Sequence, residues 1–369
     1  VNRWQRSAIE TLSTLIFAQE LKIREERTRS LLALLPPAPY ARFFGLERMQ
    51  AELVGQLMQG DEPLVVALSG IGGIGKTSLA DAVLRMTIPS LAFQQVVWVR
   101  ANHDPGIDMD VADQNWAQTE LALYHSLCPE CEAAESQAAI YDQLQETLNG
   151  RAVLICIDNL ETEEQTVHYL ERIRPLAGPS KFLLTTRARP TVSAPAYFRT
   201  LEELEFDDAA GLLRHHAQVS GISALEETAE ADLKAVYEVT GGNPLALKLV
   251  AGLTAVMPLP DILNGLVKSR PGAIESMYRA VYWEAWQSLS ENGKALLQAM
   301  PLISESGALP EQLMAISGLT EEQLWPAVQE LFARSLLEVR GSLHERRYSI
   351  HQLTETFLHS EIVGWPVSA

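Results

Sequence analysis

The densest chemistry in these 369 residues is a glycine-rich stretch that closes on a lysine and two hydroxyls. Ser69-Gly70-Ile71-Gly72-Gly73-Ile74-Gly75-Lys76-Thr77-Ser78 has the spacing Gly-x-x-x-x-Gly-Lys-Thr. It lies between an apolar run at 64–68 and helical spacing at 79–84. Glycine lets a backbone curl until successive N–H groups point at phosphate oxygens. Gly70, Gly72, Gly73, Ile74 and Gly75 are therefore expected to offer backbone to phosphate, and Lys76 a cation to the β- and γ-phosphates. Thr77, followed by Ser78, offers a hydroxyl to Mg2+.

A second run, Val153-Leu154-Ile155-Cys156-Ile157, ends in Asp158. A carboxylate at the carboxyl end of a buried strand is costly unless it binds something, and beside a phosphate loop it positions Mg2+ opposite the loop hydroxyl. Thr77 and Asp158 are thus the expected metal ligands. The group that orients a hydrolytic water is often the next residue, but Asn159 stands there and an amide takes no proton. Glu161 reads equally as that base and as a first-turn helix carboxylate favoured by the dipole. Arg187 follows the run 182–185 through Thr185-Thr186, and an arginine at such a rim reaches a γ-phosphate and reports its presence. Lys76, Asp158, Glu161 and Arg187 are the candidate catalytic set.

These groups meet only if the elements that carry them lie side by side. Residues 64–68, 96–99, 153–157 and 182–185 are short, nearly continuous apolar runs separated by helix-length sequence, the pattern of strands buried on both faces of a parallel sheet. The expected class is α/β: a P-loop NTPase sheet over 40–203, then a small helical domain over 204–275. There, Asp207 or Asp208 caps a helix ending near Gly221, another runs from about Leu225 to Gly241, and Asn243-Pro244 opens a third. Over 276–369 helices give way to a hairpin turning at Gly341-Ser342, the order of a winged helix. Residues 1–39 read as a connector helix and linker halted by Pro36-Pro37-Ala38-Pro39.

Composition is that of a globular protein, and 29 Lys+Arg against 47 Asp+Glu leave a net charge of −18. Such a surface repels phosphate backbones and anionic lipid at long range. Residues 1–48 hold eight Lys/Arg and five Asp/Glu, a net of +3, which leaves −21 on the rest. Three cysteines make no disulfide framework; Cys156 reads as a buried small hydrophobe, and Cys128 and Cys131 form a lone pair without a second pair to complete a metal site. No run reaches the ~20 apolar residues of a spanning helix, so a cytoplasmic protein without a membrane partner is expected. The chain begins with Val1 and reads as a segment of something longer.

The ordered motifs resemble a known family, the signal-transducing ATPases with numerous domains, in their NB-ARC-like branch. Residues 70–78 match the loop, 154–160 the acidic strand and 181–187 the sensor strand ending in Thr-Thr-Arg. Gly242-Asn243-Pro244-Leu245-Ala246-Leu247 is similar to the family's Gly-Leu-Pro-Leu-Ala-Leu. The resemblance implies that Pro244, with Leu245, packs on adenine, and that Phe43-Phe44-Gly45-Leu46-Glu47 stands for the family's Gly-Arg-Glu, with Phe44 and Gly45 near the base and Leu46 in the arginine position. His351, in Ser349-Ile350-His351-Gln352, falls where the family's Met-His-Asp histidine touches the β-phosphate of ADP; Ile350 and Gln352 depart from that pattern. It also implies an ATP- or ADP-operated switch: a closed ADP form, an open ATP form that self-associates, slow Mg2+-dependent hydrolysis, and flanking effector and sensor domains.

The same residues are open to two other functions. A winged helix binds DNA in many regulators, and Arg340, Arg346 and Arg347 place positive charge on the wing. The helix that would enter the groove, however, carries Glu321, Glu322 and Glu330 against Arg334, which opposes phosphate contact. A metabolic phosphotransferase would use the loop on a small acceptor, yet no acceptor-binding constellation is present and two helical modules after residue 205 go unexplained.

Overall fold

A computed structural model describes residues 3–363 other than 39, 41, 61, 102–108, 130–135, 188, 191–195, 223–227, 269–278, 280, 281, 284, 304–306, 335 and 342–344. Five strands, β1 (Val65–Ser69), β2 (Gln95–Arg100), β3 (Val153–Leu160), β4 (Lys181–Thr186) and β5 (Tyr197–Thr200), form a sheet in the order β2-β3-β4-β1-β5. Every pairing is parallel. The four apolar runs are four of these strands. Sequence reasoning missed β5 because Tyr-Phe-Arg-Thr is a half-buried edge strand with polar alternation, whereas β1 and β4 are buried along their whole length.

Side chains of β1 alternate between two cores, as the strand period requires. Val66 and Leu68 point at Leu79 and Val83 of α3 (Lys76–Thr87), while Val65 and Ala67 point at a cluster with Trp116, Leu144 and Tyr169. These last come from α4 (Met109–Leu127), α5 (Gln137–Gly150) and α6 (Glu163–Ile173). With helices on both faces, a parallel sheet leaves its carboxyl edge as the open rim, where Ser69, Arg100 and Thr186 end their strands and Asp158 lies two residues before the end of β3. This is the P-loop NTPase sheet expected from the sequence.

Beyond the sheet come α7 (Phe206–Ser220), α8 (Glu230–Thr240), α9 (Pro244–Leu253) and α10 (Leu259–Lys268). Glu205 is the N-cap of α7 and offers no side-chain cap; Asp207 and Asp208 sit in the first turn, correcting their assignment as caps. Gly221 ends that helix at φ +70°, as expected. Helices α11 (Glu291–Ala299), α12 (Pro310–Ser317) and α13 (Glu321–Ala333) follow, then an antiparallel hairpin, β6 (Glu338–Gly341) and β7 (Arg346–Ser349), with Ala308 bridging Tyr348. One apolar core extends from Leu204 to Leu358 through both helical groups, and the boundary expected at 275/276 lies outside the described residues.

The leading helix, α1 (Arg3–Leu32), which precedes α2 (Glu47–Met58), docks by Leu31, with Leu35 just beyond it, and leaves Trp4, Ile9, Leu12, Leu15, Ile16 and Phe17 exposed. Arg85 fastens the segment that follows, donating to the Pro36 carbonyl and pairing with Asp81 at 2.6 Å. Among the described residues no helix is long and apolar enough to cross a membrane.

Candidate functional site

Three loop glycines hold positive φ: Gly70 at +151°, Gly73 at +73° and Gly75 at +102°. A β-carbon at Gly70 would also stand 3.0 Å from the Leu201 carbonyl oxygen, so both conformation and space require glycine there. Gly75 is the N-cap of α3 and Ile74 sinks its side chain into the core, which leaves only its backbone for a ligand. Lys76 Nζ folds back over the loop and donates to the carbonyls of Gly70 at 2.7 Å and Ile71 at 2.9 Å. Burial first, and then the Arg187 charge, lower the Lys76 ammonium to about 8 against the opposing pull of Asp158 and Glu161. Ser78 follows in the first turn of α3.

The acidic strand reaches the same place. Thr77 Oγ1 donates to Asp158 Oδ1 at 2.9 Å, and Thr185 Oγ1 donates to the same oxygen at 2.5 Å. Asp158 is buried. The β3–β4 register shifts between Ile157 and Leu160, and within that irregularity Asn159 takes φ +77° while its N–H donates to Thr185 Oγ1 at 2.8 Å. Asparagine tolerates that left-handed backbone better than most side chains, a reason for Asn159 that involves no water. A hydroxyl and a carboxylate brought together at the rim are a donor set that fits Mg2+, which keeps most of its shell for water and phosphate oxygens.

Glu161 and Arg187 hold each other: Arg187 Nε lies 2.7 Å from Glu161 Oε2, with the carboxylate 9% exposed and the guanidinium 34%. The strands place them together, since the Arg187 N–H donates to the Leu160 carbonyl at 2.9 Å. Asn243 and Pro244 open α9 against the loop, where Asn243 Nδ2 donates to the Gly72 carbonyl at 3.1 Å and the Leu245 N–H to the Gly73 carbonyl at 3.3 Å. Gly45, at φ +69°, packs so close to Asp208 that a β-carbon would come within 2.5 Å of its Oδ2; the Phe44 ring lies on Gly211 and 5.8 Å from that of His215. Both therefore sit against α7.

His351, from the far end of the chain, joins this region electrostatically. Burial, opposed by Glu338 and helped by the charges of Lys248, Arg100 and Lys76, brings its imidazole down to about 4. His351 is thus neutral at pH 7 and close enough to Lys76 to feel its charge. Sequence reasoning missed Arg100, Thr185 and Lys248. Arg100 ends β2 in register with Asp158, a placement that only strand pairing reveals. Cys156 is buried in the sheet and its thiol is raised far above its ordinary value by burial. Cys131 lies outside the described residues.

Residues 46–220 match the NB-ARC domain. The probable disease resistance proteins RF45 and RXW24L of Arabidopsis thaliana are 26% identical over 230 residues and 24% identical over 248. These matches take in 58% and 63% of this chain but 21% and 26% of those proteins, so the chain spans about a quarter or less of their length. A signal transduction ATPase with numerous domains (STAND) protein with a tetratricopeptide repeat sensor, from Pyrococcus horikoshii, shares the fold: TM-score 0.52 and 20% identity over 88% of this chain and 43% of that one.

Proposed function

We propose, from the premise that residues 46–220 are an NB-ARC domain, that this chain is the nucleotide-operated core of a signalling switch. The observation that carries the proposal is the meeting at one sheet edge of a glycine loop with its Lys76, Asp158 bonded to Thr77, and Arg187 paired with Glu161. Gly70, Gly72, Gly73, Ile74 and Gly75 cradle the phosphates, and Lys76 leaves its loop carbonyls to meet them. Thr77, with Ser78 beside it, and Asp158 would hold Mg2+, which supplies positive charge against the phosphate oxygens. On a protein of net charge −18 the anion is held by these local devices.

His351 is the group from the C-terminal part that touches the β-phosphate, as an N–H donor, since a neutral imidazole carries one ring N–H. Pro244 and Leu245 face the base from one side, Phe44 and Gly45 from α7. Arg187 is the reporter of the γ-phosphate, and Glu161 its partner when that group is absent. A closed ADP form and an open, self-associating ATP form follow if nucleotides bind the two arrangements unequally, because equal affinity shifts nothing. Slow hydrolysis suits such a switch. Flanking effector and sensor segments would supply input and output in the cytoplasm. The DNA-binding reading loses its helix cation: Arg334 is buried, 3.2 Å from Glu330 and bonded to Ser288.

The test is the nucleotide carried by the purified protein, followed by its mass in solution. ADP is expected in the pocket, a monomer with ADP, and a larger species with ATP and Mg2+. A protein that binds neither nucleotide, or a Lys76→Ala variant that binds both as tightly as wild type, overturns the proposal.

A further inference from the structure

Four consecutive carbonyls of the phosphate loop are each held from outside. Lys76 Nζ takes those of Gly70 and Ile71, Asn243 Nδ2 that of Gly72, and the Leu245 N–H that of Gly73. A peptide unit is planar, with its C=O and N–H on opposite sides. Fixing the Gly72 carbonyl outward therefore aims the Gly73 N–H inward, and fixing the Gly73 carbonyl does the same for Ile74. Glycine peptides otherwise flip at little cost, and Gly73 already stands at φ +73°.

Asn243 is buried at 2% exposure, and both ends of its amide are used. Oδ1 accepts from the N–H groups of Leu245 at 3.0 Å and Ala246 at 3.3 Å, the helix cap expected from the sequence. Two donors at that end require oxygen there, which turns Nδ2 to the Gly72 carbonyl at 3.1 Å. A cap alone calls for no nitrogen, because Asp caps a helix as well as Asn does. The second bond joins residues 171 positions apart.

We infer that Asn243 is a positioning residue for the phosphate loop: it pre-aims the Gly73 amide at the anion and makes that aim conditional on α9 staying docked. When an anion draws Lys76 away from Gly70 and Ile71, the grips of Asn243 and Leu245 on Gly72 and Gly73 remain. Moving α9 off the sheet edge breaks both at once, so loop geometry and the placement of the helical part are one equilibrium. The inference rests on the nucleotide reading above and deepens it.

The Asn243→Asp variant separates the two roles. It keeps the cap oxygen but sets a carboxylate against the Gly72 carbonyl in place of a donor. Expected are a lowered melting temperature in the nucleotide-free protein, because a buried carboxylate replaces the donor to Gly72, broadened Gly72 and Gly73 amide resonances in 15N-glycine-labelled protein, and about ten-fold weaker binding of a fluorescent ADP analogue. Asn243→Ser, which caps but cannot reach Gly72, should repeat the loss should the aspartate variant fail to fold. Binding within two-fold of wild type, together with unchanged Gly72 and Gly73 resonances, in whichever variant folds reduces Asn243 to a cap and overturns the inference. Should the wild type bind no nucleotide, the nucleotide reading falls by itself, and the resonances of the free protein still decide whether Asn243 orders the loop.

Discussion

Lys76 offers the sharpest quantitative test, because its ammonium is held near 8 by burial and by the charge of Arg187. Phosphate oxygens beside Nζ favour the charged form and return it to at least its ordinary value of 10.5. The sign follows: free protein binds fewer protons at Lys76 than complex does between these values, so binding takes up a proton and weakens as pH rises. At pH 8.5 the uptake is about 0.75 proton, and between pH 7.5 and 9.5 affinity for ADP falls about twenty-fold by linkage. Isothermal titration at pH 8.5 in two buffers of different ionisation enthalpy measures the uptake directly. A Lys76→Arg variant, which keeps its proton throughout this range, should bind with a flat profile even if more weakly. Uptake below about 0.2 proton in the wild type, or the same pH slope in the arginine variant, refutes the assignment of Lys76 as a phosphate ligand whose charge the free site suppresses.

Glu161→Gln removes the charge that holds Arg187, a pair that part-exposure limits to about 1 kcal/mol. ATP binding should tighten roughly five-fold with ADP binding unchanged; equal gains for both, or none, would show that Arg187 does not answer to the γ-phosphate. Gly242→Ala places a β-carbon 2.3 Å from the Leu204 carbonyl oxygen at φ +76°, whereas Gly241→Ala, at φ +61°, meets nothing within 4 Å. Denaturant unfolding should show about 1 kcal/mol lost at Gly241 and at least ~2 more at Gly242; equal losses would contradict the close approach. His216 and His351 are both lowered to about 4, chiefly by burial, so the unfolded chain binds more protons than the fold between about pH 6.5 and 4. Stability is full above that window and falls through it as acid is added, and the urea midpoint of His216→Gln should fall less steeply between pH 7 and 5.

Chemistry that is local can be read from neighbouring residues. The spacing from Gly70 to Ser78 dictates a phosphate loop because curling, cation and hydroxyl all lie within one turn of backbone. The four apolar runs dictate a sheet buried on both faces, and Asn243-Pro244 a helix start. Relations that span the chain come from strand pairing and packing. Only strand pairing sets Arg100 beside Asp158, only the β3–β4 irregularity gives Asn159 its backbone, and only the close of β4 against β3 ties Glu161 to Arg187. Asn243 shows the division within one side chain. Its oxygen serves neighbours two and three residues away and was legible as a cap, while its nitrogen serves Gly72 at a distance no periodicity encodes. Local hydrogen bonds follow from backbone geometry that a few residues share; the long-range one exists because a packed core brings α9 to the sheet edge.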